Sequence, residues 1–325
     1  MKKTISILLL ACFTLVPVQA KSFDNADTIV VAKDGSGQFE TINQAIEVCR
    51  AFMDYHKVIY IKKGTYTEKV VIPSWLQNIE LCGEDAASTI LTNNDHANKM
   101  FPNTTLKIGT FRTYTLKIEA NNVVIKNLTI ENNAPQLGQA VALHTEGDRI
   151  RIIGCRLLGN QDTVYTGVEN TRLYFLNSYI EGTTDFIFGP STAWFEACTI
   201  HSKRDSYVTA ASTPQYIRYG YIFNNCTLTA APGVTKVYLG RPWRQYAHTL
   251  FMNCELGSHI VPGGWRVWTN KEDHTTTRYH EYNNRGEGAA PEQRVDWSRQ
   301  LTKKEAEKIT LAEVFTLGSS TWNIE

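Results

Sequence analysis

A six-residue pattern that recurs through the middle of the chain limits the possible folds more than any other feature. Its first position is apolar, its third is small or Asn, its fourth is Cys or a similar residue, and its sixth is aliphatic. The copies occupy residues 125–130, 152–157, 175–180, 195–200, 223–228 and 251–256, so they begin 20 to 28 residues apart. A strand pattern repeated at such intervals indicates a solenoid, in which each repeat packs on its neighbours.

The residues between these copies favour β-strands over helices. Short apolar stretches end in Asn or Gly, and long segments with the 3.6-residue period of a helix are missing. A leucine-rich repeat has a similar period but needs a Leu-dense consensus, which this chain lacks. We therefore predict an all-β fold, a right-handed single-stranded parallel β-helix with short capping helices at both ends.

Six cysteines follow residue 20, and most of them share one column of the repeat with a serine. The members of this column are Cys155, Ser178, Cys198, Cys226 and Cys254. Small, soft side chains suit a narrow interior, so we favour buried free thiols, although adjacent coils lie close enough for a disulfide. Cys49 and Cys82 lie outside the column.

Two capping boxes predict the helices at the ends of the solenoid. A Thr-x-x-Gln box at residues 41–44 opens a helix that extends to about residue 52 and could close the N-terminal end. A Thr-x-x-Glu box at residues 302–305 opens a second helix over residues 303–309. No linker interrupts the chain between them, so we predict one domain over residues 27–325.

The first twenty residues have the features of a secretory signal peptide. Two lysines precede an apolar stretch over residues 5–18, and Val18-Gln19-Ala20 is typical of a cleavage site. A lipoprotein acylated at Cys12 is the alternative. We expect residues 1–20 to be removed and the chain to be exported, to the periplasm or the extracellular space.

The charge balance excludes broad binding to nucleic acid or to a membrane surface. The whole chain carries +1, and loss of the two signal-peptide lysines leaves 31 basic against 32 acidic residues, or about −1. After the signal peptide, no segment is apolar for long enough to span a bilayer. We expect no nucleic acid, no membrane span and a monomer, which would hold an acidic partner through a few local groups.

Several polar residues occur in unusually apolar surroundings. Gln139 begins the stretch Gln-Ala-Val-Ala-Leu, the Gln161-Asp162 pair follows a repeat copy, Asp185 opens Asp-Phe-Ile-Phe-Gly, and Arg241 lies in Leu-Gly-Arg-Pro-Trp. Equivalent positions on adjacent coils are about 4.8 Å apart, so both aspartates are expected on one face of neighbouring coils. The alternative is that each aspartate merely starts a strand as a solvated turn residue.

The common hydrolase signatures are absent from the sequence. It contains no Gly-x-Ser-x-Gly elbow, no His-Glu-x-x-His, no P-loop, and no His or Cys cluster with the spacing of zinc ligands. We therefore expect neither a metal nor another cofactor.

The polar motifs, together with residues 30–37, 41–46, 64–68 and 297–301, resemble the pectin methylesterase (pectinesterase) family in its secreted bacterial form. The resemblance covers nearly the whole chain after residue 20, and the order and spacing of the motifs make it specific. It implies hydrolysis of the C6 methyl esters of polygalacturonate, the backbone of pectin.

The resemblance also implies a role for each polar side chain. Asp185 would attack the ester carbonyl, and Asp162 would protonate the departing methanol and then activate water. Gln139 and Gln161 would donate hydrogen bonds to the tetrahedral oxyanion, and Arg241 would orient Asp185. The implied substrate contacts are Thr110, Gln139, Arg241, Trp243 and either Trp265 or Trp268.

Elementary electrostatics supports the same division of roles. Free aspartate titrates near 3.9, so one of the two carboxyl groups must be kept protonated to act as an acid. Arg241 beside Asp185 favours its carboxylate, and that negative charge together with partial burial favours the protonated form of Asp162.

Three other functions fit parts of the sequence. A polygalacturonase or pectate lyase also uses clustered carboxylates on a β-helix, but the Asp-Asp, Gly-His-Gly and Arg-Ile-Lys motifs of the polygalacturonases are missing. The same esterase residues could act on acyl thioesters, although Trp243 favours a sugar. A non-catalytic polysaccharide-binding β-helix would not need either aspartate.

Overall fold

The computed structural model describes residues 22–269 and 274–324. The predicted signal peptide, including the alternative lipid site at Cys12, lies outside the described residues. Within the described part of the chain, no helix is long and apolar enough to cross a membrane.

Three parallel sheets run along the whole described structure. The first sheet consists of Ile29–Val31, Lys57–Ile61, Ile79–Gly83, Val123–Lys126, Ile150–Ile153, Arg172–Leu176, Thr192–Glu196, Tyr221–Asn224, His248–Met252, Arg278–Tyr282 and Arg299–Gln300. The second sheet consists of Gly64–Thr67, Thr89–Asn93, Thr129–Asn132, Arg156–Leu158, Tyr179–Gly182, Thr199–Ser202, Thr227–Ala230 and Glu255–Leu256. The third sheet consists of Val70–Ile72, Leu116–Ile118, Leu143–Thr145, Val164–Thr166, Ile187–Gly189, Tyr207–Ala211 and Tyr238–Gly240.

The chain visits the three sheets in turn, and each strand pairs in parallel with its equivalents on the coils before and after it. In the first sheet, for example, Ile152 lies opposite Ile125 on one side and Phe175 on the other. The first positions of the repeat are therefore in register. The predicted all-β, right-handed parallel β-helix is confirmed.

The third position of the repeat turns the chain from the first sheet to the second. Its residues adopt the left-handed backbone conformation, with φ between 48° and 59° at Asn127, Gly154, Asn177, Ala197, Asn225 and Asn253. Gly has no Cβ to clash in this region, and Asn tolerates it better than other residues do. This conformation explains why the repeat requires a small residue or Asn here.

The first and fourth positions of the repeat fill the interior. The rings of Phe175, Phe195, Phe223 and Phe251 stack with centroids 4.3 to 4.4 Å apart. The column cysteines are buried and free, as predicted. Cys49, which is buried, and Cys82, which is half-buried, are free as well. Burial raises the pKa of Cys155 to about 12, which suppresses the reactive thiolate.

The N-terminal helix is shorter than the sequence predicts. It spans Ile42–Glu47 behind the expected Thr41 capping box, and it buries Ile42 and Ile46 against the first coil. The backbone N–H of Phe52 bonds to Trp75 O instead of continuing the helix, which draws the chain towards the next coil.

The C-terminal helix is also shorter than the predicted 303–309: it spans Lys303–Ala306 behind the expected capping box, and a separate helix, Leu311–Val314, follows it. The chain beyond them packs Phe315 and Trp322 on the outer face of the first sheet, next to a short antiparallel pair, Thr316–Leu317 and Ser320–Thr321. Two 3₁₀ turns complete the described helices, at Thr110–Arg112 and Pro291–Gln293.

Ala197 is the repeat corner whose residue type suits its backbone least, because alanine is strained at φ 50°. We expect Ala197→Asn to raise the free energy of unfolding by about 1 kcal/mol, since this side chain is exposed and Asn occupies the same corner on other coils. The measurement is chemical denaturation. The reciprocal Asn177→Ala should lose a similar amount, and a neutral result for both variants would contradict the corner argument.

Candidate active site

Asp162 and Asp185 lie at the same corner of adjacent coils, where the chain enters the third sheet. Both have a left-handed backbone, with φ of 67° and 49°, which Asp tolerates. The register that pairs Val164 with Ile187 places the two aspartates opposite each other, one strand spacing apart. The N–H of Asp162 donates to Thr184 O at 3.1 Å and fixes this corner to the next coil.

A cleft of about 210 Å³ opens over this corner on the outside of the third sheet. The sequence predicted most of its walls, and the structure brings those residues together: Thr110, Gln139, Gln161, Asp162, Asp185, Arg241, Trp243 and Trp268. Their positions in the chain span about half of its length, and the coil stacking alone makes them neighbours.

Arg241 holds Asp185 through two parallel hydrogen bonds. Its Nε donates to Oδ1 of Asp185 at 3.0 Å, and its Nη2 donates to Oδ2 at 2.6 Å. The guanidinium is itself placed over the rings of Tyr207 and Trp268, with its carbon 4.2 and 4.0 Å from the ring centroids. A bidentate pair of this kind fixes the carboxylate plane as well as its position.

The two carboxyl groups differ in their electrostatic surroundings. Burial raises the pKa of Asp162 well above its ordinary value, and the charge of Asp185 raises it further, against a smaller opposing effect of Arg241. Burial also raises the pKa of Asp185, and the hydrogen bonds and charge of Arg241 oppose that shift without cancelling it. A proton in this site is therefore favoured on Asp162 and the negative charge on Asp185.

Gln139 and Gln161 are half-buried at the edge of the cleft, on successive coils. The N–H of Ala140 donates to Gln161 O at 3.0 Å, and Gln139 O accepts from the N–H of Ala97, so the backbone holds both residues in place. Their side-chain amides can supply N–H donors to an oxygen in the cleft without carrying a charge.

Trp265 does not contact the cleft, so its predicted role as a substrate contact is wrong. Only 1% of it is exposed, and its ring packs in the core on Phe251 and Tyr279, with its Nε1 donating to Glu281 Oε1 at 3.2 Å. The turn that follows Trp265 carries the alternative residue, Trp268, back to the cleft.

The sequence argument missed two aromatic residues that line the cleft, Phe111 and Phe188, which form an aromatic floor with Tyr165 and the predicted Trp243. Phe111 packs on Tyr165 with ring centroids 4.8 Å apart, Tyr165 stacks on Phe188 at 4.7 Å, and Phe188 contacts Trp243 at 5.8 Å. Strand alternation could have identified Phe188, because the neighbouring Ile187 faces the core. Ala210 lines the cleft next to Phe188 and leaves room there.

Among residues 22–269 and 274–324, no group of three or more His, Cys, Asp or Glu side chains is arranged to hold a metal ion. The side chains gathered in the cleft include a carboxylate paired with Arg241, a second carboxyl group on which a proton is favoured, two amides and aromatic faces. This set can perform nucleophilic and acid–base chemistry on an uncharged polar substrate.

The comparisons with known proteins agree with this geometry. The pectinesterase family model matches residues 28–319. Pectinesterase 5 of Arabidopsis thaliana is 36% identical over 309 residues, which make up 91% of this chain and 51% of the relative. The chain thus spans about half the length of the first curated relatives that it matches.

Solved structures match over nearly their whole length. The carrot pectin methylesterase is 30% identical with a TM-score of 0.82, and the match covers 91% of this chain and 94% of that one. Pectin methylesterase PemA from Erwinia chrysanthemi is 28% identical with a TM-score of 0.78, and the match covers 94% and 100% of the two chains. The chain therefore belongs to the pectinesterase family.

Proposed function

We propose that this protein is a carboxylic ester hydrolase that removes the C6 methyl esters of polygalacturonate and releases pectate and methanol. The proposal rests on one observation. Arg241 fixes the carboxylate of Asp185, which faces the same cleft as the buried carboxyl group of Asp162. The family and the aromatic floor point to a sugar ester rather than to a thioester.

In the first half of the proposed reaction, a carboxylate oxygen of Asp185 attacks the ester carbonyl carbon. The carbonyl oxygen becomes negative, and the amide N–H groups of Gln139 and Gln161 stabilise it, typically by about 3 kcal/mol each. The intermediate collapses as Asp162 gives its proton to the methoxy oxygen. Methanol leaves, and the galacturonyl group remains bound to Asp185 as an anhydride.

In the second half, Asp162 is a carboxylate and takes a proton from water. The resulting hydroxide attacks the galacturonyl carbonyl, the bond to Asp185 breaks, and the sugar leaves as its carboxylic acid, which releases its proton to solvent. Both aspartates return to their starting protonation states, so the cycle needs no cofactor. Arg241 contributes by keeping Asp185 in one orientation through both attacks.

We also propose a bacterial, exported and monomeric form, in which residues 1–20 are a cleaved signal peptide and residues 27–325 form the single catalytic domain. The support is the signal-like composition of the leader and the match to the Erwinia chrysanthemi enzyme over its whole length. Periplasmic and extracellular placement both satisfy this proposal. The partner that it implies is pectin, held at Thr110, Gln139, Arg241, Trp243 and Trp268.

Replacing Asp185 tests the reaction directly. We expect Asp185→Ala to reduce methanol release from highly methylated pectin by roughly a thousandfold or more, because the nucleophile is lost. Asp296→Asn, an exposed carboxylate far along the chain, is the matched control and should keep wild-type activity. Chain shortening without methanol, seen as a fall in viscosity, would indicate a polygalacturonase or lyase instead.

Asp162→Asn should abolish turnover but stabilise the protein at alkaline pH. A carboxyl group whose pKa is raised by folding stabilises the fold below its unfolded pKa, and that contribution is lost as the pH rises through the folded pKa. Asn stays neutral, so the variant should match the wild type at pH 4 and melt roughly 2 °C or more above it at pH 8.

Asp185→Asn provides the contrast in the same melting experiment. It removes the partner of Arg241 and leaves that guanidinium without a counter-charge, a cost that Asp162→Asn does not have, so at pH 8 Asp185→Asn should melt below Asp162→Asn. Equal melting temperatures of the two variants at pH 8 would contradict the different surroundings assigned to the two carboxyl groups.

Substitutions at two tryptophans test substrate binding and stability separately. We expect Trp268→Ala to raise KM for pectin about three- to tenfold with little change in melting temperature, because its half-buried ring lines the cleft. Trp265→Ala should instead cost about 3 to 5 kcal/mol of stability, since it leaves a core cavity. Steady-state kinetics and thermal melting of both variants decide this, and the reverse pattern would refute the assignment.

A further inference from the structure

The side chain of Arg241 has to reach past one whole coil to meet Asp185. Arg241 follows the strand Tyr238–Gly240, and Asp185 precedes the strand Ile187–Gly189. The strand Tyr207–Ala211 lies between those two in the third sheet, so their coils are two strand spacings, or about 10 Å, apart. An arginine side chain has many rotamers, and it must therefore be held along its length if its fork is to stay on one carboxylate over that distance.

The intervening strand holds both partners through its backbone. The N–H of Asp185 donates to Tyr207 O at 2.9 Å, and the N–H of Arg241 donates to Thr209 O at 3.0 Å. Two residues of one strand therefore fix the main chain of the proposed nucleophile and of its arginine. Tyr207 also contacts the arginine through its side chain.

The ring of Tyr207 supports the guanidinium of Arg241. The guanidinium carbon lies 4.2 Å from the centroid of this ring and 4.0 Å from that of Trp268. A cation over an aromatic face is attracted by the negative charge of that face, and the ring also displaces water from it. Trp268 lines the cleft, whereas Tyr207 is not one of the described residues that do. Tyr207 can thus act on the cleft through its neighbours, Arg241 and Asp185.

The next coil carries a second tyrosine at the equivalent position. Tyr238 lies opposite Tyr207 and stacks on it, with ring centroids 5.4 Å apart. Its ring meets the guanidinium of Arg266, whose carbon lies 5.7 Å from the ring centroid. Both tyrosines are half-buried, so they match in residue type and exposure and differ in the arginine that they contact.

We propose that Tyr207 is a positioning residue for the esterase reaction, because its ring holds the guanidinium of Arg241 in the orientation that pairs with both oxygens of Asp185. This inference rests on the proposed function, since it adds a residue to the same reaction. The contact uses the face of the ring and not the hydroxyl group, so phenylalanine can replace this tyrosine. Without the ring, the guanidinium can turn towards water and leave the carboxylate without a fixed plane.

Steady-state kinetics on highly methylated pectin separates positioning from folding. We expect Tyr207→Leu to lower kcat about tenfold and to leave KM within about twofold of wild type, because the nucleophile is misoriented while the walls of the cleft remain. Tyr207→Phe should keep the wild-type kcat. Tyr238→Leu removes the same stack of rings without removing the ring at Arg241, so its kcat should also stay close to wild type. An equal loss of kcat in the two leucine variants would overturn the proposal.

The pH profile is a readout that a purely structural role would not change. The charged and titratable groups that act on one another in the cleft are Asp162, Asp185 and Arg241. A loosened Arg241 opposes less of the rise that burial causes in the pKa of Asp185, and the carboxylate of Asp185 is the reactive form. The acidic limb of kcat/KM should therefore move to higher pH by about half a pH unit in Tyr207→Leu and stay in place in Tyr238→Leu. An unmoved limb in Tyr207→Leu would refute the positioning role.

Thermal melting tests the contact without any turnover. Tyr207→Leu should lower the melting temperature of the wild type by roughly 2 °C more than it lowers that of Arg241→Met, because the contact is already lost in that background. Additive effects of the two substitutions would contradict the contact. If the effects are coupled but no pectin yields methanol, the esterase proposal fails and takes the role in that reaction with it, while the support of Arg241 by Tyr207 stands.

Discussion

The in-register stacking of one coil on the next is the constraint on which the rest of this structure depends. Each strand satisfies its backbone groups on the coils before and after it, so equivalent residues are held one strand spacing apart along the whole described solenoid. In the interior, each side chain therefore packs on the equivalent side chain of the next coil. A stack of phenylalanine rings and a column of free thiols fill it in this way. A residue that fails to stack would disturb both neighbouring coils.

The same spacing creates the chemistry of the cleft. Two carboxyl groups on adjacent coils, both more than nine-tenths buried, cannot both be charged without a large electrostatic cost. Arg241 resolves the conflict because its fork binds Asp185 alone, which leaves the proton to Asp162. The difference in favoured protonation state between the two carboxyl groups therefore comes from the position of one cation, two coils further along the third sheet, and not from any difference between the aspartates themselves.

The sequence predicted the parts of the structure that depend on the repeat. The register of the coils, the column of thiols and the meeting of Asp162 with Asp185 all follow from spacing, because equivalent positions must become neighbours. The repeat could not predict which of Trp265 and Trp268 lines the cleft, because both lie in a loop that leaves the coils. Only the three-dimensional course of that loop decides which ring is buried in the core. The length of the N-terminal helix was missed for a related reason: the helix ends at Glu47, and the N–H of Phe52 bonds to Trp75 of another coil.

Strand alternation in the third sheet separates the residues that stabilise the fold from those on its outer face, where the cleft lies. The inward column of Leu116, Leu143, Val164 and Ile187 is fully buried and uniformly aliphatic. The outward column, one residue later on each strand, changes from Lys117 through His144 and Tyr165 to Phe188. Because each outward residue can vary without disturbing the core, a solenoid can present a sequence of chemically different subsites along one axis.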